Sequence, residues 1–305
     1  MKTAFVFTGQ GSQFAGMGKD LCTEFELALA TMHEADRALG ESISKLCFEG
    51  PEDQLALTTN TQPCTLAVSI AAFRAHGRKP DVAAGHSLGE YSALCAAGVL
   101  GFADAVRLVR ERAVRMQSAV PVGTGGMVAL LKVSADEARQ ICGEVKTGVC
   151  EIANLNSPGQ VVLAGATSAM DEVVQKLGER RARRLAVSVP FHCSLLANAA
   201  IGFGELLDRT PMRDPAFPIW CNVDAKPVTT AVQARDALKR QFAGSVLWQT
   251  SVERMIQDGQ VKRFVEFGPK ATLTRMIGQI AQGIAAVDVT TASATTAAEV
   301  RALLA

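Results

Sequence analysis

Ser87 is the residue of this sequence best placed for covalent chemistry. It stands in Gly85-His86-Ser87-Leu88-Gly89, a Gly-x-Ser-x-Gly pattern where a short apolar run gives way to a helical one. Such a turn lifts the serine hydroxyl out of a sheet, and glycines on both sides let the backbone turn without clashes. The helix that begins there aims free N–H groups and the positive end of its dipole at the hydroxyl. The N–H of Leu88, one residue on, is the natural donor to a developing oxyanion. A serine nucleophile needs a base, and the chain has four histidines: His33, His76, His86 and His192. His33 falls in a polar helical segment and His76 beside a helix end, so both read as solvated. His86 adjoins the nucleophile and is expected to point away from it. Elimination leaves His192, in Val189-Pro190-Phe191-His192-Cys193.

Two further groups bear on that pair. Gly9-Gln10-Gly11-Ser12-Gln13 follows the first apolar run, at the carboxyl end of a strand, where α/β sheets bind ligands. It does not fit a nucleotide loop. Phe14 stands where the dinucleotide pattern wants glycine, Asp20 follows Gly18-Lys19 where Ser or Thr is needed, and Gln13 occupies the phosphate loop's first glycine. Two readings remain open: a plain glycine turn, or a second oxyanion donor in the N–H of Gln10. In the helical segment from Phe102, Val106, Val109, Ala113, Met116 and Val120 share one face. At about 100° per residue Arg112 lies roughly 60° from Val109, on the border of that stripe. A border arginine needs an anion. Spacing alone favours a protein carboxylate; the alternative is a substrate carboxylate held by the two-pronged guanidinium.

The elements that must position these groups follow from the hydrophobic pattern. Residues 3–7 and 80–85 read as short buried strands, and residues 88–97 and 102–120 as helices. Strands alternating with helices predict a parallel sheet covered on both faces. From about residue 126 the rhythm changes. Strand 127–133, a helix capped by Ser134 with Glu137 three later, strands 150–155 and 160–165 around the turn 156–159, helix 168–180 and strand 184–189 give β-α-β-β-α-β. The expected fold is therefore α/β: a large α/β-hydrolase-like domain with a parallel sheet (residues 1–123 and 191–305) and an inserted ferredoxin-like small domain (residues 124–190). Strands are expected near 219–223 and 264–267. The Ala/Thr-rich stretch 290–298 leads into a last helix.

Composition narrows the partners. The 305 residues are 48% hydrophobic and 20% charged with a net charge of +1, which offers no footprint for nucleic acid or an anionic membrane. Eight scattered cysteines without a Cys-x-x-Cys pair read as buried thiols in a reducing compartment, with no metal site. There is no signal-peptide pattern at the start and no apolar run long enough to span a bilayer, so a cytoplasmic protein is expected.

Taken together, the motifs resemble the malonyl-CoA:acyl carrier protein transacylases of fatty-acid synthesis and the related acyltransferase domains of polyketide synthases. The resemblance runs through Phe5-Val6-Phe7-Thr8-Gly9-Gln10-Gly11-Ser12-Gln13, Gly85-His86-Ser87-Leu88-Gly89-Glu90-Tyr91, Arg112 with Met116-Gln117, Asn156-Ser157-Pro158-Gly159-Gln160, Val189-Pro190-Phe191-His192-Cys193 and Phe267-Gly268-Pro269. It implies that Ser87 attacks the thioester of malonyl-CoA and that His192 is its base. It also implies that Gln10 and Leu88 supply the oxyanion N–H groups and that Arg112 holds the malonyl carboxylate. By the same resemblance the main-chain carbonyl of Gln241 orients His192, Phe191 limits the room for a branched acyl group, and Gln62 lies near the site. Thr8 replaces the family's usual proline, and Ala243-Gly244-Ser245-Val246 lacks its usual Pro-Val. The implied partners are malonyl-CoA and the phosphopantetheine thiol of an acyl carrier protein, with no permanently bound cofactor, and a monomer is expected. A polyketide or malonate-decarboxylase acyltransferase is an alternative within the family. Outside it stand a serine hydrolase or thioesterase, which would want an acidic triad member, and a non-catalytic carrier-binding subunit, which would need no Ser/His/Arg set.

Overall fold

The computed structural model describes residues 1–187, 189–285 and 287–305. Its strands in chain order are β1 (Lys2–Phe7), β2 (Val82–Gly85), β3 (Gly125–Leu131), β4 (Cys150–Ser157), β5 (Gln160–Ala166), β6 (Ala182–Arg184), β7 (Ile219–Trp220), β8 (Pro227–Val228), β9 (Val261–Phe267) and β10 (Thr290–Ala294). Six of them form one sheet of order β10-β9-β1-β2-β7-β8. Every pair in it is parallel except β7 with β8 at the edge, where Pro227 removes no needed N–H. β1 is apolar and buried from Ala4 to Phe7 because both faces of the sheet are covered there. Phe5 and Phe7 pack into the core beneath the helix Thr58–His76, while Ala4 and Val6 face the core under the helices Trp248–Gln257 and Leu273–Gln282.

The second sheet has the order β4-β5-β3-β6 and is antiparallel throughout. With the helices Ala135–Glu144 and Thr167–Leu177 it makes the expected β-α-β-β-α-β unit. Alternation along β3 and β5 sorts the faces. Val128, Leu130, Val161 and Leu163 pack with Ile141, Met170 and Val173 of the two helices. Met127, Ala129, Val162 and Ala164 turn the other way and join the core of the larger layer. The antiparallel sheet is also stitched through the backbone to the loop ahead of the helix Trp248–Gln257. The Val246 N–H donates to the Ala153 carbonyl (2.8 Å) and the Leu155 N–H to the Val246 carbonyl (3.0 Å).

Several boundaries differ from the sequence expectation. β3 runs 125–131 rather than 127–133, because the two glycines at 125 and 126 keep pairing with β5. β4 continues to Ser157, leaving Pro158-Gly159 as the turn, with Gly159 at φ 77°. The last strand of the small unit is 182–184 instead of 184–189; residue 188 of that expected strand lies outside the described residues. β7 stops at Trp220, and the Cys221 N–H turns to the Lys226 carbonyl (3.0 Å). The Ala/Thr-rich stretch contains a strand, β10, before the helix Ala297–Leu304 opens with a capping box of Thr296 and Glu299. Among the described residues no helix is long and apolar enough to cross a membrane.

Candidate active site

The register of two neighbouring strands brings the motifs together. Phe7 of β1 sits opposite Gly85 of β2, so the Gly9-Gln10 loop and the Ser87 turn leave the sheet side by side at its carboxyl edge. The helix Leu88–Ala96 starts directly after Ser87, which has φ 52° and ψ −105°. A non-glycine residue in that region is strained. The strain swings Ser87 clear of both strand and helix. Gly85 and Gly89 are required by close approach. A Cβ on Gly89 would lie 2.0 Å from the Phe7 carbonyl oxygen, and one on Gly85 1.9 Å from the Gly89 carbonyl. Gly89→Ala is therefore expected to cost about 3 kcal/mol or more, read as a loss of melting temperature or of folded protein.

Ser87 Oγ and His192 Nε2 are 2.7 Å apart, joining residues 105 apart in sequence. His192 also has positive φ, 61°, and is 3% exposed. Its Nδ1 faces two main-chain carbonyls, those of Gln241 and Gly244, each at 3.1 Å. Two carbonyl acceptors fix the proton on Nδ1 and leave the Nε2 lone pair toward Ser87. No acidic residue bonds Nδ1 among the described residues, which removes the feature that a Ser-His-acid hydrolase would show. Burial, and then the charge of Arg112, push the imidazole down to about 3. The ring thus stays neutral and able to accept a proton. In 15N-histidine NMR, His192 is expected to remain neutral at pH 5, and Arg112→Gln to raise its titration. The linkage sign follows. Below the ordinary imidazole value near 6.5 the unfolded chain binds a proton that the folded chain refuses, so stability from this group declines as pH falls from 6.5 toward 3.

Arg112 is 1% exposed and, among the described residues, forms no ion pair. Nη1 donates to Gln62 Oε1 (2.9 Å), and Nη2 donates to Gln241 Oε1 (3.0 Å) and to Ser87 Oγ (3.2 Å). Its guanidinium lies 5.1 Å from the Tyr91 ring centre. Among the described residues no protein carboxylate pairs with it as spacing favoured, and the neighbouring helices present amides there instead. Gln62 sits inside the buried helix Thr58–His76, where its amide reaches Arg112 on one side and, weakly, the Met116 sulfur at 3.9 Å on the other.

These side chains line one cleft of about 370 Å³. The lining includes Gln10, Gln62, Ser87, Leu88, Arg112, Phe191 and His192, with Met127, Asn154 and residues 185–187 closing it from the small-sheet side. Leu88 is the first residue of its helix, so its N–H has no carbonyl a turn behind it. Among the described residues no backbone acceptor takes the N–H of Gln10 or of Leu88. His86 points to the small sheet, with Nε2 2.8 Å from Asn156 Oδ1. His76 is not solvated. It is 5% exposed and packs edge-on to Phe5 and Phe267, outside the cleft. Among the described residues no group of three His, Cys, Asp or Glu could hold a metal ion.

Sequence reasoning missed the support beneath the turn. Asn222 Oδ1 accepts the Ser87 N–H (2.8 Å), and Asn222 Nδ2 donates to the Gly85 carbonyl (2.7 Å). Gln241 Nε2 donates to the Ser87 carbonyl (2.8 Å). Glu90, 1% exposed, accepts the main-chain N–H of Asn222 and the side-chain amide of Gln241. The available signal was an acid inside an otherwise small and apolar helical stretch.

A strained serine at a strand-to-helix turn, a neutral imidazole on its hydroxyl and free N–H groups beside it define an acyl-transfer site. The acyl transferase domain family matches residues 4–300. A malonyl CoA-acyl carrier protein transacylase of Haemophilus influenzae is 42% identical over 297 residues, covering 94% of this chain and 95% of that protein. The crystal structure of an acyl-carrier-protein S-malonyltransferase from Burkholderia pseudomallei superposes with a TM-score of 0.94 at 40% identity, covering 100% of both chains. A malonyl-transacylase solved in complex with a type II PKS acyl-carrier protein has a TM-score of 0.94 at 38% identity, covering 100% of this chain and 98% of that one. The chain belongs to the malonyl CoA-acyl carrier protein transacylases of the acyl transferase family.

Proposed function

We propose that the protein moves the malonyl group of malonyl-CoA to the phosphopantetheine thiol of an acyl carrier protein, through an ester on Ser87. His192 Nε2 takes the hydroxyl proton as Ser87 Oγ attacks the thioester carbonyl. The N–H groups of Gln10 and Leu88 hold the oxyanion. The C–S bond breaks, and His192 returns the proton to the leaving CoA sulfur. In the second half His192 takes the thiol proton of the carrier, the sulfur attacks the ester carbonyl, and Ser87 Oγ leaves with that proton. Arg112 pairs with the free carboxylate of the acyl group. The carbonyl of Gln241 holds the Nδ1 proton of His192, Gln62 braces Arg112, and Phe191 narrows the acyl end of the cleft. Residues 124–190 serve as the small domain that closes the cleft over residues 1–123 and 191–305. We place the protein in the cytoplasm as a monomer.

The observation that supports this reading most is the buried Arg112, with no carboxylate partner among the described residues, donating to the same Ser87 oxygen that His192 touches. Intact-protein mass spectrometry tests it. Malonyl-CoA is expected to leave a malonyl adduct on the protein that a phosphopantetheinylated carrier protein removes far faster than water does. No adduct, or an adduct that only water discharges, overturns it.

A further inference from the structure

Glu90 stands outside the roles given above, although it is central to their support. One of its oxygens, Oε2, accepts the Asn222 N–H (3.0 Å) and Gln241 Nε2 (2.9 Å). Those two residues reach everything that reacts. Asn222 holds the Ser87 N–H. Gln241 holds the Ser87 carbonyl and Arg112 with its side chain, and His192 Nδ1 with its main-chain carbonyl. An amide such as Gln241 could rotate and offer its NH2 to Arg112; an acceptor at Glu90 forbids that orientation.

We propose that Glu90 is a positioning residue of the transfer reaction, whose carboxylate fixes the main chain of Asn222 and the side chain of Gln241 and through them Ser87, Arg112 and His192. The inference rests on the acyl-transfer reading of the site. An ionised carboxylate is the stronger acceptor, so the bracing tightens when Glu90 loses its proton. Burial pushes this carboxyl up to about 7, against the opposing pull of Gln241, the Asn222 N–H and Arg112 and with the repulsion of Asp224. The other titratable groups that face it are Tyr91 on its own helix and Cys221 beside Asn222, both raised by burial. Tyr91 is driven further above its ordinary value, Cys221 is pushed up to about 11, and His192 is pushed down to about 3. Of Glu90, Tyr91, Cys221 and His192, burial brings Glu90 nearest to neutrality.

The test measures the rate at which an uncharged fluorophosphonate ester labels Ser87. This reports nucleophile and base without any acyl-CoA. For the wild type the rate is expected to rise severalfold between pH 6 and 8. Glu90→Gln, matched in size, is expected to lack that rise and to label at least threefold more slowly at pH 8. It is also expected to lower the ratio of malonyl to acetyl uptake by intact mass. A Glu90→Gln rate at pH 8 within twofold of wild type overturns the proposal. So does a wild-type profile with no rise, whether or not the variant folds. Failure of the malonyl reading would show separately, as a wild-type protein that takes the fluorophosphonate but no malonyl group.

Discussion

Ser87→Ala is expected to take no acyl group from malonyl-CoA, and His192→Ala to be acylated about 10⁴- to 10⁶-fold more slowly than wild type. The two losses have different causes. Alanine at 87 removes the hydroxyl that touches the imidazole and would carry the acyl group. Alanine at 192 leaves the hydroxyl but removes the acceptor at 2.7 Å, and a serine hydroxyl at neutral pH is a weak nucleophile without one. The size of the second effect depends on His192 being neutral and correctly protonated, which its burial and the carbonyls of Gln241 and Gly244 provide. Both proteins should melt close to wild type. Ser87→Ala deletes one hydroxyl, and His192→Ala frees carbonyls that water in the cleft can reach. Quenched-flow intact-mass measurements read both rates. Uptake of an acyl group by Ser87→Ala, or a His192→Ala rate within tenfold of wild type, would remove the covalent mechanism.

The turn that carries Ser87 was legible because its signature is local. Five consecutive residues carry the turn, and the glycines are explained by contacts that any Gly-x-Ser-x-Gly turn must make. The pairing of His192 with Ser87 was legible by elimination, since a chain with four histidines leaves few candidates. The same elimination misjudged His76. A helix-end histidine looks solvated in sequence, but here three aromatic rings of a sheet and a helix enclose that end. The parallel sheet and the inserted antiparallel one were legible from the change of rhythm near residue 126. β10 was not, because Thr and Ala at 290–294 carry little apolar signal and are recruited by pairing with β9. Arg112 shows the limit most clearly. Its helical angle placed it on a buried border, and at such a border a carboxylate partner is the common outcome. What lies across that border is set by Gln62 and Gln241, 50 and 129 residues away, which no periodicity reveals. Asn222 and Glu90 were hidden for the same reason. They act through long-range bonds to backbone, and such bonds leave no spacing rule.

Arg112→Ala is expected to lose malonyl uptake by about 10²- to 10³-fold while acetyl uptake changes by less than about tenfold. The guanidinium is buried, unpaired by any carboxylate among the described residues, and already donates to Ser87 Oγ. A malonyl carboxylate entering the cleft would meet it in a poorly hydrated setting where a charge-assisted fork is strong. Acetyl has no group to place there, so it forfeits only the packing and the order that Arg112 lends to Gln62 and Gln241. Arg112→Lys separates charge from geometry. Lysine keeps the charge but cannot donate in parallel to both amides and a carboxylate, so malonyl uptake should recover only in part. The truncation also takes a positive charge away from His192, which raises the imidazole. Rates for both acyl donors should therefore be compared at pH 8, where the ring is neutral in either protein. Discrimination between malonyl-CoA and acetyl-CoA is read as the ratio of their acylation rates. Equal loss of the two would mean that Arg112 serves only to hold the cleft together, and the source of carboxylate selectivity would then lie elsewhere in its lining.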